Sequence, residues 1–319
     1  MAARAPDRRP PAWYASRARI FVNILVVFAF TPGTITAAVL LLIPVLLLAF
    51  AGDWFVRTIH RLPLIARLAI PASGALPYFL ATYRTSYFGW SSVFVYAAVP
   101  VALVLLLWHA AQNDPQQRGD WRDFAVLAVL GVVVQFHWLE PIWPAHVRSL
   151  NRLLLLDTGL YGFLVIRRLT GVGFNFLPHW RDLKVGLREL CFYAPIAIPL
   201  GLGLHFLHAH AVLPSPGKFL LSWITIFAFV AILEETYFRG WVQNLLERRL
   251  GRTWSLVVTA VLFGLSHFNK GAAHFNWRYV LLATFAGIFY GRAWREDRRL
   301  VASAITHASV DTIWAIWFR

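Results

Sequence analysis

The sequence predicts an all-α, polytopic bundle of membrane-embedded helices, and three observations carry that prediction. Apolar residues make up 59% of the 319-residue chain and charged residues only 14%, with a mean hydropathy of +0.59. Soluble domains carry about 25% charged residues. The apolar residues gather in continuous runs of roughly 15–20 residues, near the length that crosses a hydrocarbon core as a helix. Barrel strands would instead show weak alternation over about ten residues. Finally, the basic residues lie between these runs. The formal charge is +15, with Lys only at positions 184, 218 and 270. No zinc-finger spacing and no basic helix with interleaved aromatics accompanies that charge, so nucleic acid is excluded as a partner. Arg between apolar runs is the positive-inside pattern and an attraction to anionic lipid headgroups. The 15 Trp and 10 Tyr residues, many near segment ends, fit interfacial belts.

In chain order, residues 1–19 form a Pro-rich basic arm (Arg4, Arg8, Arg9, Arg17, Arg19), expected on the cytoplasmic side and without a convincing signal-peptide cleavage site. Apolar runs follow at 34–51, 62–82, 91–110, 122–137, 151–166, 191–209, 218–241, 254–268, 278–292 and 300–317. The runs 122–137 and 254–268 are short for a full crossing, which leaves about eight to ten membrane-embedded helices. Thr31-Pro32-Gly33 is expected to break the first apolar stretch into an interfacial piece and a span. Residues 172–190 are too polar to cross and read as an amphipathic surface helix. Basic clusters at 57–67, 118–122, 167–188, 248–252 and 292–299 fit on one face, which places the C-terminus on the other. The arm at 1–19 conflicts with that arrangement unless residues 20–50 cross in an unusual way. Cys191, the only cysteine, forms no intramolecular disulfide and reads as a small buried hydrophobe.

Ionisable residues inside apolar spans default to functional or partnered roles, and the second half of the chain concentrates them. Glu234-Glu235-Thr236-Tyr237-Phe238-Arg239 lies within an apolar helix. Glu235 and Arg239, four apart, share a helix face and neutralise one another. Glu234 lies about 100° away without that partner, as a general base requires. The next helix carries Phe263-Gly264-Leu265-Ser266-His267, and the last carries His307 and Asp311 four residues apart. By helical rise, Glu234 and His267 each lie roughly 20 Å from the basic face, His307 about 13 Å, and Asp311 about 6 Å deeper. One level in the bilayer therefore receives all four. Glu234 with His267 would activate a water and His307 would donate to the developing oxyanion. The same residues permit a Zn²⁺ site built from Glu234, His267 and His307 with an open water position. Elsewhere, His205, His208 and His210 read as interfacial imidazoles, Glu140 as a loop carboxylate, and Asp157 as the partner of Arg152 with an optional gating role.

Glu-Glu-x-x-x-Arg (234–239), Phe-x-x-x-His (263–267) and His-x-x-x-Asp (307–311), in that order on successive apolar helices, resemble the CPBP family. That family groups Rce1-type CAAX prenyl proteases with bacteriocin-processing and immunity-type membrane proteins. The resemblance covers roughly residues 180–319. It implies a glutamic-type intramembrane endopeptidase, first described as a metalloprotease, that cuts near the C-terminus of a membrane-associated protein or peptide. Glu234 and His267 would activate the water, His307 and Asp311 would form the oxyanion side, and Glu235, Arg239 and Phe263 would support them. Prenyl proteases of the eukaryotic type have Asn at the position of Asp311. A carboxylate there must be protonated, orient His307 or bind a metal. On this reading residues 171–319 form a catalytic bundle and 20–170 a set of helices of unassigned role, in the plasma (inner) membrane of a bacterium. Two other classes use the same residues: a non-proteolytic binding or immunity-type membrane protein, and a proton- or metal-coupled transporter. The transporter reading expects repeat symmetry, which the sequence does not display.

Overall fold

The computed structural model describes residues 31–177, 179–210, 212–271 and 274–318. The basic arm at 1–19 and the apolar residues before Thr31 lie outside the described residues. Each expected apolar run is helical over most of its length. Helix α1 spans Pro32–His60 and begins where the Thr31 hydroxyl accepts the Thr34 N–H at 3.2 Å, with Pro32 in the first turn. Helix α2 (Leu64–Thr82) tightens at Ile70–Gly74, and α3 spans Trp90–Asn113. Helix α4 (Trp121–Gln135) opens with a reciprocal cap, in which Asp120 and Asp123 each accept the other's end of the first turn. Helix α5 (Ala145–Ile166) ends in a wider π-helical turn. Helix α6 spans Trp180–Gly203. Gly251, at φ 74°, divides the next long helical stretch into α7 (216–250) and α8 (252–265). A left-handed φ there is open to glycine at little cost. Helices α9 (Trp277–Asp297) and α10 (Leu300–Trp317) complete the bundle. Among the described residues, six helical segments are long and apolar enough to cross a membrane.

One expectation changes. Residues 180–190 do not form a separate surface helix but the first turns of α6, continuous with its apolar part. Their charges find partners on neighbouring helix ends: Asp182 receives Arg299 at 2.7 Å, and the buried Glu189 receives Arg292 at 2.9 Å. With those charges paired, the helix runs from its polar first turns into its apolar part without a break.

The five basic clusters share one face. His60 contacts the Val165 carbonyl, Arg167 the Asp114 carboxylate, Arg248 the Gln117 carbonyl, and Arg298 the Glu247 carboxylate. The C-terminus lies on the other face, where Ala209 bridges to Phe318. The two halves of the chain share one core. Leu107, Leu130 and Phe163 from the first half pack with Ile232, Trp241, Leu245 and Leu300 from the second. Gly131 of α4 allows the close approach, since a Cβ there would lie 2.3 Å from the Tyr237 hydroxyl of α7. At the basic face the fully buried Asp123 carboxylate pairs with Arg167 at 2.9 Å. Asp114, in the turn after α3, sits below the usual carboxylate range. Burial acts against that, but the Arg118 and Gly119 N–H groups and Arg167 outweigh it.

Removing one member of a buried pair leaves the other charge uncompensated, at a cost of about 3–5 kcal/mol. Arg167→Met is therefore expected to lower the thermal midpoint of the detergent-solubilised protein markedly. Adding Asp123→Asn should recover part of the loss, as differential scanning fluorimetry can test.

Candidate active site

Two π-helical stretches of α7, Phe227–Ala231 and Thr236–Gln243, flank the short α-helical turn Ile232–Glu235. Such local widening recurs at functional sites. The two glutamates on this turn meet different surroundings. Glu235 is fully buried. Its carboxylate accepts from Arg239 at 3.0 Å, from His307 Nδ1 at 2.7 Å and from the Ser303 hydroxyl. Arg239, also fully buried, donates to the Gly287 carbonyl at 3.0 Å and lies 4.6 Å from the Phe263 ring centroid and 5.3 Å from that of Tyr290. The expected Glu235–Arg239 pair is present. Ser303, a further partner of Glu235, is not among the residues singled out from the sequence, although Ser303, His307 and Asp311 recur every four residues along α10.

Glu234 faces the other way and keeps 27% of its side chain exposed. Its Oε2 accepts no hydrogen bond from any described group and stands 3.9 Å from His307 Nε2. Asp311 Oδ2 is 3.8 Å from the same nitrogen. Asp311 thus does not orient His307 through Nδ1, because Glu235 occupies that atom. Glu235 is already held by Arg239, so Nδ1 is the donor in the 2.7 Å contact and Nε2 is the atom that faces the site. The ring is clamped by Tyr290, stacked at 4.6 Å, and by the edge of Phe263 at 5.7 Å. His267 is fixed in the same sense. Its Nδ1 donates to the Phe263 carbonyl at 2.8 Å, and its ring lies 4.9 Å from that of Phe263. Glu234, His267, His307 and Asp311 are thereby gathered at one place in the bundle.

The first half of the chain supplies one rim of this site. Lys270, in the loop after α8, places Nζ 3.8 Å from Glu234. That loop is tied to α4 by the Gln135 amide, which donates to Asn269 at 3.1 Å. Beside it, Glu140 receives Arg152 at 2.7 Å and His137 at 3.0 Å. Arg152 is thus engaged by Glu140 and not by Asp157, which corrects the expected pairing. A turn of α5 separates positions 152 and 157, whereas the 136–148 loop folds Glu140 back over Arg152. Asp157 Oδ1 accepts no hydrogen bond among the described residues. Nothing in the sequence near His267 marked Lys270 or Gln135, because the contact joins segments far apart in the chain.

On the opposite side an apolar cavity of about 90 Å³ reaches His267, His307 and Asp311 between α6, α9 and α10. Tyr193, Tyr279, Leu282, Tyr290 and Trp314 are among its walls. Cys191 is exposed, not buried, because it occupies an outward position of α6. His205, His208 and His210 lie past the end of α6, where the His210 N–H bonds to the Trp317 carbonyl at 2.8 Å. Among the described residues no group of three or more His, Cys, Asp or Glu side chains is disposed to hold a metal ion. Both imidazoles bond a protein acceptor through Nδ1, which leaves Nε2 of each as the remaining ring nitrogen.

Residues 216–313 match the family model described as "Type II CAAX prenyl endopeptidase Rce1-like". The match covers just under a third of the chain and includes Glu234, Glu235, Arg239, Phe263, His267, His307 and Asp311. Over this segment the integral membrane protein is similar to the CAAX protease-like members of the CPBP family, which is a family of peptidases. Neither the curated proteins nor the solved structures contain a match to the chain.

The adjacent glutamates are expected to separate in a stability measurement. Glu235→Gln removes the counter-charge of a buried guanidinium and should cost about 3–5 kcal/mol. Glu234→Gln should stay within about 0.5 kcal/mol, as for substitutions away from buried networks. A second measurement concerns Glu140, which lies outside the spans. Burial acts to raise its pKa, but His137 and Arg152 outweigh that and bring it from 4.5 to about 2. A depressed folded-state pKa stabilises above the unfolded value and is lost as pH falls through the folded value. The gap in thermal midpoint between wild type and Glu140→Gln should hold steady above about pH 5 and close toward pH 2.

Proposed function

We propose that the chain is an intramembrane endopeptidase that hydrolyses a peptide bond near the C-terminus of a membrane-associated protein or peptide, with water activated by Glu234 and His267. The observation that carries this reading is the unlike environment of two neighbouring carboxylates. Glu235 is consumed by Arg239, Ser303 and His307, while Glu234 Oε2 is left without a donor beside two imidazoles. A carboxylate free of structural bonds and within reach of an oriented imidazole is what general-base catalysis requires.

The reaction then runs as follows. A water held by Glu234 and His267 Nε2 gives its proton to Glu234, and its oxygen attacks the scissile carbonyl carbon. The carbonyl π pair moves onto oxygen, where His307, protonated on both nitrogens, donates from Nε2. Glu234 and Asp311 flank that nitrogen at 3.9 and 3.8 Å and support its positive charge. Asp311 therefore works as a carboxylate and needs no proton of its own. Collapse of the tetrahedral intermediate re-forms the carbonyl, breaks the C–N bond and passes the proton from Glu234 to the leaving amine. No step of this scheme uses a metal, and the chelator arm of the experiment below tests that. The apolar cavity suits a hydrocarbon side chain of the substrate next to the cleaved bond. On the polar rim Lys270, which has no hydrogen bond to Glu234, offers a counter-charge to the carboxylate of a short C-terminal segment. A bacterial plasma membrane is the proposed location, with the basic face toward the cytoplasm.

Peptide mapping of new N- and C-termini in membranes from cells making wild type or Glu234→Gln at equal levels tests the reading. Termini present with wild type and lost with the variant are the expected result, unchanged by chelator. Identical termini would replace the protease with the non-proteolytic binding protein. Asp311→Asn, which keeps a polar contact to Nε2, should retain more cleavage than Asp311→Leu, for which a loss of about 10²-fold is expected.

A further inference from the structure

A second concavity lies on the basic face, remote from the glutamates. It is a groove of about 380 Å³ between the first turns of α6 and the last turn of α9. That size falls within the range of small-ligand clefts, about 300–1,000 Å³. Trp180, Arg181, Lys184, Val185, Arg188 and Glu296 line it, so three cations face one carboxylate. The carboxylates around it are partly spent on the arginines. Arg181 pairs with Asp297 at 2.7 Å and more loosely with Glu296 at 3.7 Å, and Arg188 pairs with Glu189 at 2.8 Å and with Glu296 at 3.1 Å. Lys184 pairs with no described carboxylate and instead lies 6.0 Å from the Trp180 ring. With Arg292 also on Glu189, four cations meet three carboxylates around the groove, and the cation left over is the exposed Lys184, next to the exposed Arg181.

Its depth indicates the occupant. The groove opens where α6 leaves the surface loop, with Trp180 67% exposed beside it. An exposed Trp next to Lys and Arg at a helix end marks the headgroup layer, and basic pockets between transmembrane helices at that layer suit phosphate headgroups. We propose that this groove binds the phosphate of an anionic phospholipid, with Lys184 and Arg181 on the phosphate oxygens and Trp180 against the glycerol. Such a lipid bridges α6 and α9, which also contribute Tyr193 and Tyr290 to the apolar cavity. The proposal is independent of proteolysis.

Full-length protein in nanodiscs of phosphatidylcholine mixed with phosphatidylglycerol, released into mild detergent and weighed by native mass spectrometry, reports the retained lipid. Wild type is expected to keep one phosphatidylglycerol in preference to phosphatidylcholine. Arg181→Gln and Lys184→Gln should each reduce that retention about fivefold, the effect of removing one cation near an anionic surface. Arg278→Gln, an exposed cation at the other end of α9, should leave it unchanged. Equal retention by wild type and the Arg181→Gln/Lys184→Gln double variant would overturn the proposal. So would an equal loss with Arg278→Gln, which indicates general charge attraction. Displacement of the lipid by inorganic phosphate would point to a free-anion site instead and overturn it as well.

Discussion

The buried contact of Glu235 with Arg239 is the interaction on which the C-terminal bundle depends. Two full charges removed from water are costly unless each is paired and hydrogen-bonded. Here the carboxylate takes Arg239 from its own helix together with Ser303 and His307 from α10, while the guanidinium takes the Gly287 carbonyl of α9 and the face of Phe263 from α8. One ion pair thus fixes the mutual positions of four helices. In a bilayer, where apolar surface gives helices little reason to choose one neighbour over another, polar contacts of this kind specify the packing.

The same pair explains how two chemically identical neighbours come to differ. Saturating Glu235 fixes the ring orientation of His307 and points its Nε2 away from the pair, toward Glu234 and Asp311. Glu234 stays outside the saturated network, in partial contact with the exterior and with Lys270. The saturated glutamate and the one left free are therefore parts of one arrangement. A helix widened by π turns on both sides of Glu234–Glu235 accommodates the bulk of Arg239, Trp241 and Tyr237 while presenting the two carboxylates to different helices.

The first half of the chain, outside the family match, is more than a scaffold. Through Gln135, Glu140 and Arg152 it forms a polar rim on the Glu234 side, and through α3, α4 and α5 it shares the principal core with α7. Against this, the cavity on the Asp311 side is walled by α6, α9 and α10 and is largely aromatic and aliphatic. The site therefore lies between a polar rim and an apolar cavity.

Composition and segment length were enough to read the membrane-embedded helices from the chain, because hydrocarbon leaves the backbone few alternatives to a helix. Helical rise alone also brought Glu234, His267, His307 and Asp311 to one depth, and four-residue spacing paired Glu235 with Arg239. Those are short-range consequences of a regular helix. What depended on packing was not legible. Glu235 rather than Asp311 orients His307, because a contact 72 residues apart in sequence prevails over one four residues apart. Arg152 turns to Glu140 rather than Asp157, Lys270 reaches Glu234 because a loop is tied to α4, and residues 180–190 join α6 because their charges meet the ends of α9 and α10. In each case the sequence supplied the charged groups, and only tertiary structure, by the distances it imposed, decided which opposite charge each one met.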